Sequence, residues 1–485
     1  MDDPVLFLAA EECPADEFES KHSFVEHDER LLRALMAHGP VLIRGGRGAG
    51  KSALMIEAHR RLQLDPSRIG FYVSLRYLPL LETTGADYLR TLAQLCSSEI
   101  AKAVSDIPEL SIGSVSSIEE LKGLLLQIAH TLKKRVVLLF DDAAHIGREA
   151  TLDEFFDSFR MLSSAEISCK ASIYPGVTRF GVRFDVYNDA TVMDVSKDER
   201  SPGFDAFFLG VIEKRNPKVI PSISRFKGIK PEEVAGFLGR AVLGNMRSFA
   251  IAVNRLEEYP TFDHLHTLTD LLIDLSGGHF WSLLEEVTPK LGKYEPLAVT
   301  SGEVAHLLFA IAGQYRNANV AIRRDICQGL AKPLEILEYV GFIAKKEASR
   351  AVKGGRGPKY RLNLAVLLEN VKNKKLSSEL MSEWRDPNQP TLEIAPPTKL
   401  QEIVMPVLST QETLSVLDLA VARLQKSKIY PYGLTEDKIG KLQHANFLTV
   451  RSLAVASDDQ LDSIYGVGEA WIKRIRDVIG QAVWM

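Results

Sequence analysis

Along the first two hundred residues, short runs of consecutive apolar residues alternate with stretches in which apolar residues recur every three or four positions. The runs are Val41-Leu42-Ile43, 69–75, Val136-Val137-Leu138-Leu139-Phe140, 171–174 and 190–195, and each predicts a strand. The periodic stretches predict helices over 24–35, with an apolar stripe at Leu31, Leu32 and Leu35, then after Ser52, over about 86–104, and near 118–132. His38-Gly39-Pro40 stops the first helix and launches the first strand. Strands alternating with helices imply an α/β fold built on a parallel sheet wound on both faces.

The turn after the first strand is Gly45-Gly46-Arg47-Gly48-Ala49-Gly50-Lys51-Ser52, which fits the phosphate-loop pattern G-x-x-x-x-G-K-S/T in its expected strand–helix setting. Its glycines let successive backbone N–H groups turn toward one anion, and the helix that starts there adds its positive end. Lys51 is expected to reach the β- and γ-phosphates of ATP, and Ser52 to give its hydroxyl to Mg²⁺. The run 136–140 ends in Asp141-Asp142, two carboxylates delivered to the sheet's carboxyl edge in a Walker B pattern. Asp141 is expected to hold the Mg²⁺ shell and Asp142 to polarise the attacking water, although such a pair can also cap a helix. Beyond the fourth strand, Thr178, Arg179 and Arg183 are where γ-phosphate sensing or a trans-acting arginine would be sought.

Composition adds bounds. A chain of 485 residues exceeds one hydrophobic core and implies two to four domains. Net charge −4 gives no global attraction to nucleic acid or anionic membrane, so any DNA contact must come from local basic patches. Cys13, Cys96, Cys169 and Cys327 lack the spacing of a zinc site or disulfide framework. The start Met1-Asp2-Asp3-Pro4 has no basic signal-peptide region and no long apolar run follows, which gives a cytoplasmic expectation without membrane.

The phosphate loop and Asp141-Asp142 resemble the AAA+ and STAND-type P-loop ATPases, in particular the origin-recognition-like branch of initiators and loaders. The stretch 237–250 is similar to an AAA+ lid, and the resemblance makes Arg247 its sensor-2 arginine, pointing back at the nucleotide. Asp142 stands where AAA+ proteins usually carry glutamate, as in STAND ATPases, and no sensor-1 asparagine follows the fourth strand, where Thr178 stands in.

Residues 293–370 resemble a winged helix, with helices over 301–314, 323–330 and 332–339 and a hairpin of 342–347 and 359–364 around a glycine-rich tip. That hairpin carries Lys345, Lys346, Arg350, Lys353, Arg356, Lys359 and Arg361, suited to backbone phosphates, while the third helix offers Glu335 and Glu338 toward any duplex. A solvated or protein-docking hairpin has the same composition. The tail resembles tandem helix-hairpin-helix modules, whose specific element is Ile464-x-Gly466-Val467-Gly468. There backbone N–H groups can bind a DNA phosphate, flanked by Lys473 and Arg474. That fold also serves protein–protein contact.

The sequence therefore divides into an acidic N-terminal extension (1–22), peripheral unless Val5-Leu6-Phe7-Leu8 adds a short strand or docks on the body, a P-loop ATPase core (23–215), a helical lid (216–292) and a winged-helix domain (293–382). A proline-bearing linker (383–411) and an all-α helix-hairpin-helix domain (412–485), opening with a helix near 411–424, complete it. The expected function is an ATP-dependent DNA-binding ATPase, slow because of Asp142, whose nucleotide state controls assembly into a homo-oligomer and DNA engagement in replication, transposition or antiviral defence. No nuclease motif is present, so cutting would fall to an effector protein. The alternative is a STAND-type switch that oligomerises on ATP and binds a protein trigger or effector.

Overall fold

The structure, a computed structural model, describes residues 10–75, 85–107, 110, 112–113, 115–144, 152–176, 180, 183–259, 263–408, 415–426 and 433–484. Five parallel strands make the first sheet: β1 (Val41–Arg44), β2 (Arg68–Ser74), β3 (Arg135–Ala144), β4 (Ile167–Ile173) and β5 (Thr191–Asp194). Their order across the sheet is β2-β3-β4-β1-β5. The β1 strand thus lies between β4 and β5, and the loop leaving it opens beside the carboxyl ends of β3 and β4. β3 and β4 are buried throughout their described apolar positions; β3 carries an uninterrupted apolar run over 136–140, whereas β4 also buries Ser168, Lys170 and Ser172. Helices Glu26–Met36 and Lys51–Gln63 pack on one face through Leu31, Leu35 and Met55, and Gly85–Ala103, Ile118–Leu132 and Leu152–Leu162 pack on the other.

The second sheet is β6 (Asn319–Ile322), β7 (Ile343–Val352), β8 (Gly355–Leu362) and β9 (Leu392–Ile394), in the order β7-β8-β6-β9. With helices Leu297–Gln314, Arg324–Gly329 and Ala331–Val340 it forms a second α/β unit. Its apolar core is continuous with that of the helices over 204–291. Leu297–Gln314 is long and apolar enough to cross a membrane, and 56% of it is buried here.

Four expectations need correction. The segment 10–22 is not peripheral: Phe18 is 2% exposed, Lys214 Nζ donates to His22 O at 2.7 Å and Arg215 Nε to Lys21 O at 3.2 Å. The stretch 383–411 is not a simple linker, because Trp384 and Leu400 are buried and β9 pairs in parallel with β6. The wing has no glycine-rich tip over 353–358. Its strands run on to a two-residue turn, and Gly357 lies in β8 because a Cβ there would fall 1.8 Å from Ile322 O. No helix spans the described part of 411–424. Extended Ala420 bridges Thr449 and splits the segment into 3₁₀ turns Ser415–Asp418 and Val421–Leu424.

The C-terminal unit packs helices Glu436–His444, Val450–Val455, Asp458–Asp462 and Glu469–Trp484 around its own core of Leu442, Leu453, Leu461 and Ile475.

Candidate functional site

At the end of β1 the chain turns through Gly45–Gly50 into the Lys51–Gln63 helix. Gly48 and Gly50 sit at φ +81° and +96°, backbone that glycine adopts without strain. Gly50 caps the helix without a side chain and the first turn holds no acidic residue, so its amides stay open to an anion. The close fit leaves no room for Cβ atoms: one on Gly45 would fall 2.3 Å from Val195 Cγ2, and one on Gly48 2.6 Å from Arg247 Cβ. Lys51 lies buried over the Tyr174 ring, 3.5 Å from its centroid, with Nζ donating to Gly45 O at 2.8 Å and Gly46 O at 3.2 Å. Burial depresses its pKa to about 8, against the opposing pull of Asp142 and Asp141.

The paired aspartates face this loop. Asp141 is fully buried and accepts from Tyr72 OH at 2.9 Å and Ser172 Oγ at 2.6 Å. Asp142 has a left-handed backbone, φ +54°, held by its N–H donating to Ser172 Oγ at 2.8 Å and Asp141 Oδ1 at 3.0 Å. Tyr174 OH donates to Asp142 Oδ1 at 3.2 Å. These bonds fix both carboxylates before any ligand enters, which lowers the reorganisation that a reaction would demand.

This is an α/β fold of the P-loop type. The glycine cradle after β1, the buried lysine and the carboxylate pair at the end of β3, two strands away, decide it together. No family model matches the chain, and no curated protein matches it in sequence. Among solved structures the chain resembles the Walker-type ATPase PABY2304 of Pyrococcus abyssi at 15% identity over 70% of this chain and 93% of that one, TM-score 0.42. It also resembles the Aeropyrum pernix Orc1 protein in complex with DNA at 15% identity, over 78% of this chain and 94% of that one, TM-score 0.35. A third is Cdc6p from Pyrobaculum aerophilum, at 12% identity over 75% and 99%, TM-score 0.33.

The P-loop cleft, about 110 Å³, has Phe24, Leu54, Phe207, Val211 and Met246 among its apolar lining. Its polar side carries the loop, Lys51, Ser52, Asp142, Lys197 and Arg247. Arg247 lies in the first turn of helix Met246–Leu256, its N–H donating to Gly48 O at 3.2 Å and its Nε buried without a partner. Arg47 ties three parts together. Its guanidinium pairs with Glu286 at 3.2 Å, its N–H donates to Tyr339 O at 3.1 Å, and its carbonyl accepts from Asn245 Nδ2. Burial and Arg47 work against each other on Glu286, and the cations Arg47 and Lys290 win, holding its pKa down at about 2. Ala49 completes the loop. Thr178 and Arg179 lie outside the described residues, and Arg183 is exposed, its N–H donating to Asp157 at 3.1 Å.

Sequence reasoning missed Glu11, Tyr174, Asn245, Glu286 and Tyr339. Asn245 alone had a local signal, an N-cap residue whose side chain accepts from Ser248 N at 3.0 Å.

The wing cations divide. Arg361 is 2% exposed, donates to Trp384 O at 2.6 Å and lies 3.3 Å from Glu199, so it belongs to the interior. Lys346 pairs with Glu199 at 3.4 Å, and Arg350 and Lys359 face Glu347 at 3.5 and 3.7 Å. Lys345, Lys353 and Arg356 are exposed. The third helix does not face outward: Glu338 is largely buried and accepts from Lys345 N at 3.1 Å, while its end rests on the phosphate loop. In the C-terminal unit Gly466 sits at φ +78° and its carbonyl accepts from Lys438 Nζ. Gly468 and Lys473 are exposed and Arg474 is half-buried.

Proposed function

We propose that the chain is an ATP-dependent, DNA-binding ATPase whose nucleotide state sets how its lid and winged helix stand on the core. The observation that carries this is Arg47 and Gly48, two adjacent residues of the phosphate loop bonded to the lid and to the third winged-helix segment. A change in loop geometry on binding phosphate reaches both modules through single hydrogen bonds.

The residues fit ATP and Mg²⁺, since Gly45 and Gly48 have no room for a Cβ and, among the described residues, Arg247 Nε and two Arg47 nitrogens are buried without partners. The loop amides and Lys51 would hold the triphosphate, Ser52 and Asp141 the cation, and the apolar side the base. Mg²⁺, when bound, screens charge on the phosphates. Asp142 orients the attacking water, and its acceptance of the Tyr174 hydroxyl holds that carboxylate in place while occupying one oxygen. Arg247 contributes a guanidinium from the lid, so closure and catalysis coincide. Output passes to DNA backbone through Lys345, Lys353 and Arg356 on the wing and through Gly466, Gly468, Lys473 and Arg474 at the C-terminal turn, with Lys346, Arg350 and Lys359 freed if the wing moves. Assembly into a homo-oligomer, cytoplasmic location and a partner effector belong to the same reading.

A STAND-type signalling switch is the second reading, favoured by the contact of Tyr339 O with the loop, which suits a nucleotide-locked resting form. One experiment separates them: ATP hydrolysis and particle mass of wild type and Asp142→Ala, each with and without duplex and single-stranded DNA. DNA-stimulated hydrolysis, lowered roughly a hundredfold or more by Asp142→Ala, supports the first. ATP-driven assembly indifferent to DNA supports the second, and neither response overturns both.

A further inference from the structure

The 3₁₀ turn Ala10–Glu12 packs against the Lys51–Gln63 helix and lines the cleft beside Lys51 and Asp142. Carboxylate oxygens of Glu11, Asp141 and Asp142 lie within 4.8 Å of one another, two of the three residues buried and Glu11 half-buried. Like charges so close, with little water between them, repel strongly, and a divalent cation among them removes that cost. Lys51, whose Nζ donates to Gly45 O and Gly46 O, adds a single positive charge that interacts with all three carboxylates and offsets only part of their repulsion. Asp141 and Asp142 are hydrogen-bonded by Tyr72, Ser172 and Tyr174, whereas Glu11 has no hydrogen bond or ion pair among the described residues.

The strand beside Asp141 gives a separate observation. Ser74 stands level with Asp141 in the β2–β3 register, on the sheet face from which Tyr72 reaches that carboxylate. Ser74 is 6% exposed and its Oγ has no hydrogen-bond partner among the described residues. A buried hydroxyl level with Asp141, without a partner among the described residues, adds an oxygen donor of the kind hard cations take, directly or through water.

The segment that delivers Glu11 is docked. Phe18 is buried and stacks on His22 with ring centroids 4.0 Å apart, and Arg60 pairs with Glu19 at 3.3 Å.

We infer that Glu11 is a ligand of the divalent cation, joining Asp141, so that the N-terminal segment forms part of the cation site. This rests on the nucleotide-site reading and extends it to a residue outside the phosphate loop and the strand-end aspartates.

The test is Mn²⁺ binding to the full chain by electron paramagnetic resonance, with Mn²⁺ alone and with Mn²⁺ plus ADP, for wild type, Glu11→Gln, Glu11→Asp and Asp16→Asn. Thermal unfolding of each variant checks the fold. Glu11→Gln is expected to weaken Mn²⁺ at least about tenfold in both titrations, Glu11→Asp less, and Asp16→Asn not at all. Unchanged Mn²⁺ affinity in folded Glu11→Gln overturns the inference. So does tighter ADP binding by that variant without a Mn²⁺ effect, which would make Glu11 an occupant of the phosphate position. Wild type that binds Mn²⁺ but no ADP overturns the nucleotide reading, and the Mn²⁺-only titration then still decides the role of Glu11.

Discussion

Lys51→Ala is expected to weaken ATP binding about ten- to a hundredfold by calorimetry, because a hydrogen bond from a charged donor is worth roughly 1.5–3 kcal/mol, and to bring hydrolysis to background. The fold should survive. Lys51 is buried with its pKa held down at about 8, so its ammonium is a poorly solvated charge whose removal relieves a desolvation cost. A melting temperature no lower than wild type, together with lost binding, distinguishes a phosphate ligand from a structural residue. The depressed pKa also fixes a pH dependence. Between pH 8 and the unfolded value of 10.5 the unfolded chain binds more protons than the folded one, so this group makes stability rise with pH. Over the same window Lys51 of the free protein loses its charge, and ATP affinity should fall. In Lys51→Ala that part of both slopes should vanish.

The parts of this site that sequence revealed are those held by neighbours in sequence. Gly45–Ser52 is legible because its conformation and its chemistry are both local, and Asp141-Asp142 because an unbroken apolar run must end at a sheet edge. The first-turn place of Arg247 came from the resemblance of 237–250 to an AAA+ lid. Glu11 and Tyr339 had no such signal, since their approach to the loop depends on how distant segments dock. The wing misled in the same way. Counting its cations could not show that Arg361 and Lys346 meet Glu199, a contact made across domains. The prolines of 383–411 suggested an extended linker, yet Trp384, Ile394 and Leu400 are interior residues and β9 extends the second sheet. Proline limits which hydrogen bonds a segment makes and leaves its side chains free to join a core.

Gly48→Ala tests whether the loop and the lid act as one unit, and its effect should be as large as that of Lys51→Ala by a different route. The backbone at φ +81° costs an alanine about 1–2 kcal/mol, and the new methyl would fall 2.6 Å from Arg247 Cβ and 2.7 Å from Asn245 Oδ1. Neither contact is with the free end of a long chain, so the helix Met246–Leu256 must shift, adding roughly 1–3 kcal/mol of overpacking. The bond from Arg247 N–H to Gly48 O lies along the same contact and should break as the lid withdraws. Asn245→Ala is the comparison. It removes the helix cap and the bond to Arg47 O without adding volume, at a cost of about 1 kcal/mol. If lid and loop are coupled, the rise in melting temperature that ATP gives wild type should be lost in Gly48→Ala and only reduced in Asn245→Ala, since ligand stabilisation measures affinity for the folded form. An undiminished ATP shift in Gly48→Ala would mean that the lid contact is dispensable, and Arg247 would lose its proposed place at the nucleotide.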